Sequence, residues 1–502
     1  MDFSKLIRQL RQRFTPSGSV IDRAVKSGVW EGGMNSLNRV IQLLKVAVLA
    51  QLLPPKEFGI LGIGFLTLAI FESFSQLGID AALIQQEDEN VDTYLNTTWV
   101  LQILRGLVLT GTIFVLAPYF ADWFGEPRAT NVIRALGVGP LLLGLKNPGV
   151  VYFRKNLQFH LRFVQILSGT VVNFLTAVAF GVLLGNVWAL VAGSVVGNVV
   201  SVVVSFLLHD YRPAIEFDRD LALELADFGK WVFGSSIANF LHKQGDDIFV
   251  GWFLGATPLA FYQMAYRFSN APATELTNVI GKVTFPSLSQ VQNNSQKLRN
   301  GYFRTLRFSV FLAFPVAVGI VLVADPFVRV FLGNEWLPTV PVLQALAIWG
   351  GIRVLGSGNG SVWYTLSRPD LSLKMNFLRI FVIALGIFPA ATRFELIGVS
   401  GVIILAGAVT APVEAYITLN MVDGSVRRYL RNLFHPMVGC GIMAGTLLLL
   451  ERWVLFPAPF VELVVFVLVG AVTYFLYSYV AVRVLEYRIV DDLDTIKRSF
   501  EA

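Results

Sequence analysis

The chain has 502 residues, of which 55% are hydrophobic and only 15% charged, with a mean hydropathy of +0.62; a soluble globular chain is about 45–50% apolar and about 25% charged. That balance excludes a sizeable water-soluble domain, and the single cysteine, Cys440, excludes an intramolecular disulfide and a cysteine-based metal cluster. The formal charge of +6 is scattered over short loops rather than gathered on one soluble face, so it points to membrane topology and not to nucleic acid.

In chain order, residues 1–27 come first. Phe3, Leu6, Ile7, Leu10 and Phe14 fall at helical spacing among Lys5, Arg8, Arg11 and Arg13, which reads as a short amphipathic helix on the cytoplasmic membrane surface. No short apolar core with a small-residue cleavage site opens the chain, so the first spanning helix is expected to serve as the insertion signal. Apolar stretches of about 20 residues, each long enough to cross a hydrocarbon core of about 30 Å, then begin near Gly28, Phe58, Tyr94, Asn131, Phe163, Val187, Phe228, Pro258, Phe308, Val340, Lys374, Leu396, Phe434 and Phe460. The expected fold is therefore all-α and polytopic, with about fourteen transmembrane helices. Counted by loop, about 24 Lys and Arg lie on one predicted side against about 5 on the other. This predicts cytoplasmic N and C termini, although the acidic loop from Gln85 to Thr93 carries no base.

A shift of 201 residues pairs Gly28 with Gly229, Trp30 with Trp231, Gly33 with Gly234 and Asn38 with Asn239. Internal repeats are common in transporters. The repeat predicts an N-lobe over 28–208 and a C-lobe over 228–420, each of six helices, followed by two additional helices over 434–484 and a cytoplasmic tail over 485–502.

Both repeat-initiating helices carry polar residues confined to an arc of about 120° at 100° per residue. The first holds Glu31, Asn35, Asn38, Arg39, Gln42 and Lys45, and the seventh holds Ser235, Ser236, Asn239, His242, Lys243 and Asp246. A charge at mid-bilayer costs at least about 2.5–3.5 kcal/mol, so such stripes must line a wet cavity or pair with one another. Further charges fall at depth: Glu72, Arg105, Lys146, Asp247, Arg267, Glu275, Arg353, Arg379 and Glu414. Gly350-Gly351 and Gly356-Ser357-Gly358-Asn359-Gly360 lack the Lys-Ser/Thr of a phosphate-binding loop and predict a bent or closely packed tenth helix. Asp246 and Asp247, adjacent on a helix, point about 100° apart and make a poor metal pair. No cofactor is expected.

Two stretches carry a family resemblance. Leu49 to Gln86, LAQLLPPKEFGILGIGFLTLAIFESFSQLGIDAALIQQ, and Asp246 to Asn293, DDIFVGWFLGATPLAFYQMAYRFSNAPATELTNVIGKVTFPSLSQVQN, resemble the polysaccharide-export and Wzx-type oligosaccharide flippases. These belong to the multidrug, oligosaccharidyl-lipid and polysaccharide exporter superfamily. The resemblance implies a two-lobed bundle around a central cavity, working by alternating access on an oligosaccharide linked to a polyprenyl phosphate or diphosphate. It also implies membrane lipids as surroundings and a polysaccharide polymerase or glycosyltransferases as neighbours in the same synthesis. Arg39, Lys45, Lys243, Arg353 and Arg105 suit the anionic head group. Asn35, Asn38, Gln42, Ser236 and Asn239 suit sugar hydroxyls, and Glu31, Glu72 or Asp246 suit ion coupling. A cation-coupled drug antiporter is the alternative reading. A membrane glycosyltransferase or ligase is a more distant one, because no outer loop is long enough to fold into a catalytic domain.

Overall fold

The structure, a computed structural model, describes residues 20–75, 91–156, 158–219, 221, 240–241 and 243–484; the side chains of 20–32, 35, 91–93, 154, 271–283 and 285–287 fall outside that description. The described chain is helical, with no strand. Its helices are α1 (Val20–Leu52), α2 (Pro55–Ser73), α3 (Val91–Trp123), α4 (Ala129–Leu136), α5 (Gly139–Gly144), α6 (Val151–Lys155), α7 (Phe159–Leu184) and α8 (Trp188–Leu208). Then come α9 (243–253) and α10 (Ala256–Ser289), α11 (Ser295–Phe331), α12 (Thr339–Val354), α13 (Asn359–Thr365), α14 (Pro369–Met421), α15 (Val426–Trp453) and α16 (Pro459–Val484). The chain divides into two compact units, residues 1–260 and 261–502.

Eight described helices are long and apolar enough to cross a membrane, and each predicted span has a helical counterpart; the start of the seventh lies outside the described residues. Large apolar side chains face outward along these helices, among them Leu183 at 76% exposure and Val182 at 68%. Outside a membrane such surface would drive aggregation. Prolines sit inside the long helices at Pro118, Pro315, Pro326, Pro389, Pro412 and Pro436, as membrane helices tolerate.

Four spans depart from plain, separate helices. The fourth is two short pieces, α4 and α5, joined across Gly137. A side chain at Gly137 would stand 2.6 Å from the Ile113 side chain of α3. The eleventh and twelfth spans run on as α14, which is folded back on itself at Glu395, whose φ of 48° and ψ of −130° are not helical. Beyond that bend Gly398 packs on the Ala390 carbonyl and Gly386 on Val402, so the arms are antiparallel. The tenth span is interrupted between Val354 and Asn359, in the glycine-rich segment.

In the first unit, α7 and α8 pack through small residues. Side chains at Gly193 and Gly197 of α8 would meet the Asn173 carbonyl at 2.7 Å and its Cβ at 2.8 Å, the close backbone approach typical of membrane helix pairs. Contacts between Asn38 and Thr170, Lys45 and Asn173, and Leu49 and Gly181 advance along both helices together, so α1 and α7 run parallel. At the start of α2, Glu57 is buried; its Oε1 accepts from Arg128 Nη2 and its Oε2 from the Val187 N–H, both at 2.8 Å. The glycine at position 59 lets α2 touch the Ala256 carbonyl, a contact that any side chain would prevent. In the second unit α15 and α16 pack on α11 around Phe311, Cys440, Met443, Leu447, Phe466 and Tyr474, and the Tyr474 hydroxyl donates to the Phe311 carbonyl at 2.8 Å.

Candidate functional site

The two units place the sequence candidates in different settings. In the first unit, α1 turns part of its polar stripe against α7: Thr170 Oγ1 donates to Asn38 Oδ1 at 2.8 Å and Lys45 Nζ donates to Asn173 Oδ1 at 3.1 Å. Both residues, expected on a cavity, thus have protein partners in α7. Gln42 is exposed and Arg39 half-buried. The Nε of Arg39 is buried and has no hydrogen-bond partner among the described residues. The side chains of Glu31 and Asn35 lie outside the described residues, as do Ser235, Ser236, Asn239 and His242. Lys243, on α9, is exposed, Asp246 is half-buried, and both Arg39 and Lys243 belong to the first unit.

Arg105 on α3 reaches the end of α2, donating from Nε and Nη2 to Ser75 Oγ at 3.2 and 2.9 Å. The same hydroxyl donates to the Glu72 carbonyl at 3.0 Å, and the Arg105 charge acts on the Glu72 carboxyl. A residue picked as a substrate cation and one picked for ion coupling are therefore electrostatic neighbours.

The second unit holds a polar cluster that brings five helices together. Arg379, on the first arm of α14, pairs with Glu414 on the second arm at 2.9 Å; the two side chains are 15% and 10% exposed. The guanidinium also lies over the Trp349 ring of α12, 5.4 Å from its centroid, a cation–π contact in a desolvated setting. One turn on from Trp349, Arg353 is hydrogen-bonded to Tyr266 of α10 and stands close enough to Arg379 for their charges to interact. The second oxygen of Glu414 accepts weakly from Asn359 Nδ2 at 3.5 Å, and Asn359 Oδ1 accepts from the Tyr302 hydroxyl of α11 at 3.1 Å.

The glycine-rich segment makes this cluster possible. A side chain at Gly356 would stand 2.7 Å from Glu414 Oε2, so the helix break supplies the room in which the carboxylate sits. Gly407 in turn leaves space for the Trp349 ring, and Ser357 Oγ ties the break to α11 through Ser309 Oγ at 3.0 Å. Of the cluster's charges, sequence reasoning singled out Arg353 as a candidate and noted Arg379 and Glu414 only as charges at depth. Tyr266, Tyr302 and Asn359 were missed. The signal for Asn359 was its place in the glycine-rich run; the tyrosines carry none that separates them from interfacial anchors. Among the described residues no group of His, Cys, Asp and Glu is arranged to hold a metal.

Comparison with known proteins adds a family. A model of the polysaccharide biosynthesis protein family matches residues 48–341, more than half of the chain. The lipopolysaccharide biosynthesis protein WzxC of Escherichia coli is 25% identical over 83% of this chain and 85% of its own length. The teichuronic acid biosynthesis protein TuaB of Bacillus subtilis is 25% identical over 83% of this chain and 87% of its own. Among solved structures, the lipid II flippase MurJ in an inward closed conformation superimposes with a TM-score of 0.70, covering 90% of this chain and 99% of that one at 14% identity. That likeness is one of fold.

Proposed function

We propose that this chain, which belongs to the polysaccharide biosynthesis protein family, is a flippase that moves a polyprenyl-(di)phosphate-linked oligosaccharide from the cytoplasmic to the outer leaflet by alternating access. The observation that carries the reading is the pair of guanidinium groups, Arg353 and Arg379, close enough for their charges to interact, on membrane-spanning helices that also bring one carboxylate and several hydroxyl and amide groups to the cluster. Buried arginines suit phosphate recognition because a planar fork can grip two oxygens. Amide and hydroxyl groups on the same surfaces suit sugars. The naming of the relatives for lipopolysaccharide and teichuronic acid biosynthesis and the fold shared with a lipid II flippase support the same reading.

The process is transport rather than bond chemistry, so the cargo changes leaflet and not covalent structure. Arg39, Lys243 and Arg105 are the first-unit residues proposed to meet the anionic group. Glu72 and Asp246 are the carboxylates proposed for ion coupling. Both termini are assigned to the cytoplasm by the basic inner loops; the parallel run of α1 and α7 fits their place as first and fifth spans, which cross in the same sense whichever side the chain starts on. The test is reconstitution of pure protein in liposomes with a labelled polyprenyl-linked oligosaccharide. Protein-dependent transfer of intact substrate between leaflets is expected. A new glycosidic product made by the protein alone would replace transport with transferase or ligase chemistry, and efflux of organic cations without lipid transfer would favour the antiporter.

A further inference from the structure

We propose that Glu414 is a built-in stand-in for the cargo's phosphate: it holds Arg379 between transport events, and a diphosphate bridging Arg353 and Arg379 displaces it. The inference rests on the flippase reading and assigns the second-unit cluster its ligand class, an anionic diphosphate, and its internal competitor.

The geometry of the pair is that of an exchangeable contact. A guanidinium grips a carboxylate best through two parallel N–H donors, yet Arg379 offers Glu414 only Nη2, which it shares with Thr410 at 3.4 Å. Its Nε is buried and makes no hydrogen bond among the described residues. Half of the fork is therefore unused. Glu414 is held as loosely, with one short contact to Arg379 and one long contact to Asn359.

A buried ion pair kept only for stability gains most when every donor and acceptor is satisfied, and this one leaves the Arg379 Nε over and one Glu414 oxygen with only a long contact. Arg353 brings a second guanidinium to the same place, one helical turn from the Trp349 ring on which Arg379 lies. A single carboxylate engages one of the two arginines, whereas a diphosphate has enough oxygens for both, including the idle Nε. The space vacated on displacement also exists, because Gly356 contributes no side chain beside Glu414 Oε2. An internal competitor of this kind weakens binding, as a transporter that must release its cargo requires: binding energy that is not returned at the far side slows the cycle.

The experiment measures binding of a short-chain polyprenyl diphosphate, its monophosphate and the neutral alcohol to the purified full chain in nanodiscs. The wild type should prefer diphosphate to monophosphate and monophosphate to alcohol. Glu414→Gln should bind the diphosphate about tenfold tighter, since the competitor's charge is gone, with little change for the alcohol. Glu414→Asp, whose shorter side chain draws back from Arg379, should shift affinity the same way and covers the case in which the amide does not fold. Arg379→Lys and Arg353→Ala should each weaken diphosphate binding about tenfold or more. Diphosphate affinity that is unchanged or weaker in both folded Glu414 variants, or a wild type indifferent to the phosphates, would overturn the proposal. Leaflet transfer by the wild type with such unaltered affinities would remove the stand-in role and leave the flippase. Tighter binding by Glu414→Gln without any lipid transfer would do the reverse.

Discussion

Glu57 and Val187 lie 130 positions apart in the chain, yet the carboxylate of one accepts the backbone N–H of the other at 2.8 Å while its second oxygen holds Arg128 at the same distance. One buried side chain thus fastens the first turn of α2, the turn before α4 and the start of α8. Glu57→Gln keeps an acceptor for the N–H but loses the charge, and should cost about 1–2 kcal/mol. Glu57→Ala loses both contacts and leaves the buried N–H unsatisfied, so its cost should be larger, about 2–4 kcal/mol. Thermal unfolding in detergent ranks the two; equal melting temperatures would show that the contact does not hold these elements.

Glycine substitutions should separate packed from lipid-facing positions. Gly193→Ala sets a methyl 2.7 Å from the Asn173 carbonyl and 2.8 Å from the Ala177 Cβ, and overpacking of that sort costs about 1–3 kcal/mol. It also displaces the helix that presents Asn173 to Lys45. Gly441→Ala, with nothing within 4 Å of the new methyl, should be neutral or stabilising by about 0.5–1 kcal/mol. Melting curves of the two single variants provide the comparison.

The first-unit cations are tested by export. Arg39→Ala and Lys243→Ala should each abolish surface polysaccharide in a flippase-deficient host while protein level stays normal. Arg39→Lys should retain part of the activity, keeping the charge but losing the planar fork. A structural salt bridge predicts instead a lower folded yield, because truncation strands a buried partner at a cost of about 3–5 kcal/mol. Full export by both alanine variants at normal levels is the result that removes these residues from the transport path.

Topology is open to cysteine labelling, for which the chain is well suited because Cys440 is buried at 5% exposure. In a Cys440→Ser background, single cysteines after Leu53 and after Phe456 should react with an impermeant thiol reagent in intact cells. Those beside Arg299 and Arg428 should stay unlabelled until the membrane is opened. External labelling at Arg428 would reverse the assigned orientation.

The spans were legible because about 20 apolar residues in a row have one physical explanation. How each span is broken was less so. The interruption of the tenth was announced by Gly356-Ser357-Gly358, but the division of the fourth, at Gly137-Val138-Gly139-Pro140, was passed over because its flanks are apolar enough to read as one helix. Apolar periodicity does not say which neighbour a polar side chain meets. It gathered Asn38 and Lys45 into one stripe with Arg39, and contacts of Asn38 and Lys45 with Thr170 and Asn173 on α7 emerged only with the fold. Glu414 was visible as a charge at depth and a new span was read from Leu396, but which residues of the two arms face each other across the reversal at Glu395, and so the pairing of Glu414 with Arg379, emerged only with the fold.

That reversal has a practical side. Helix runs into helix across Glu395 with hardly any intervening loop, so the chain offers little there for a protease to cut or an antibody to grip, and an epitope inserted at Arg393 would have to unwind helix to be seen. A tag or a fluorescent protein is better carried elsewhere. The exposed segment at Val454 and Leu455, where α15 has ended and α16 has not begun, is the second unit's natural handle.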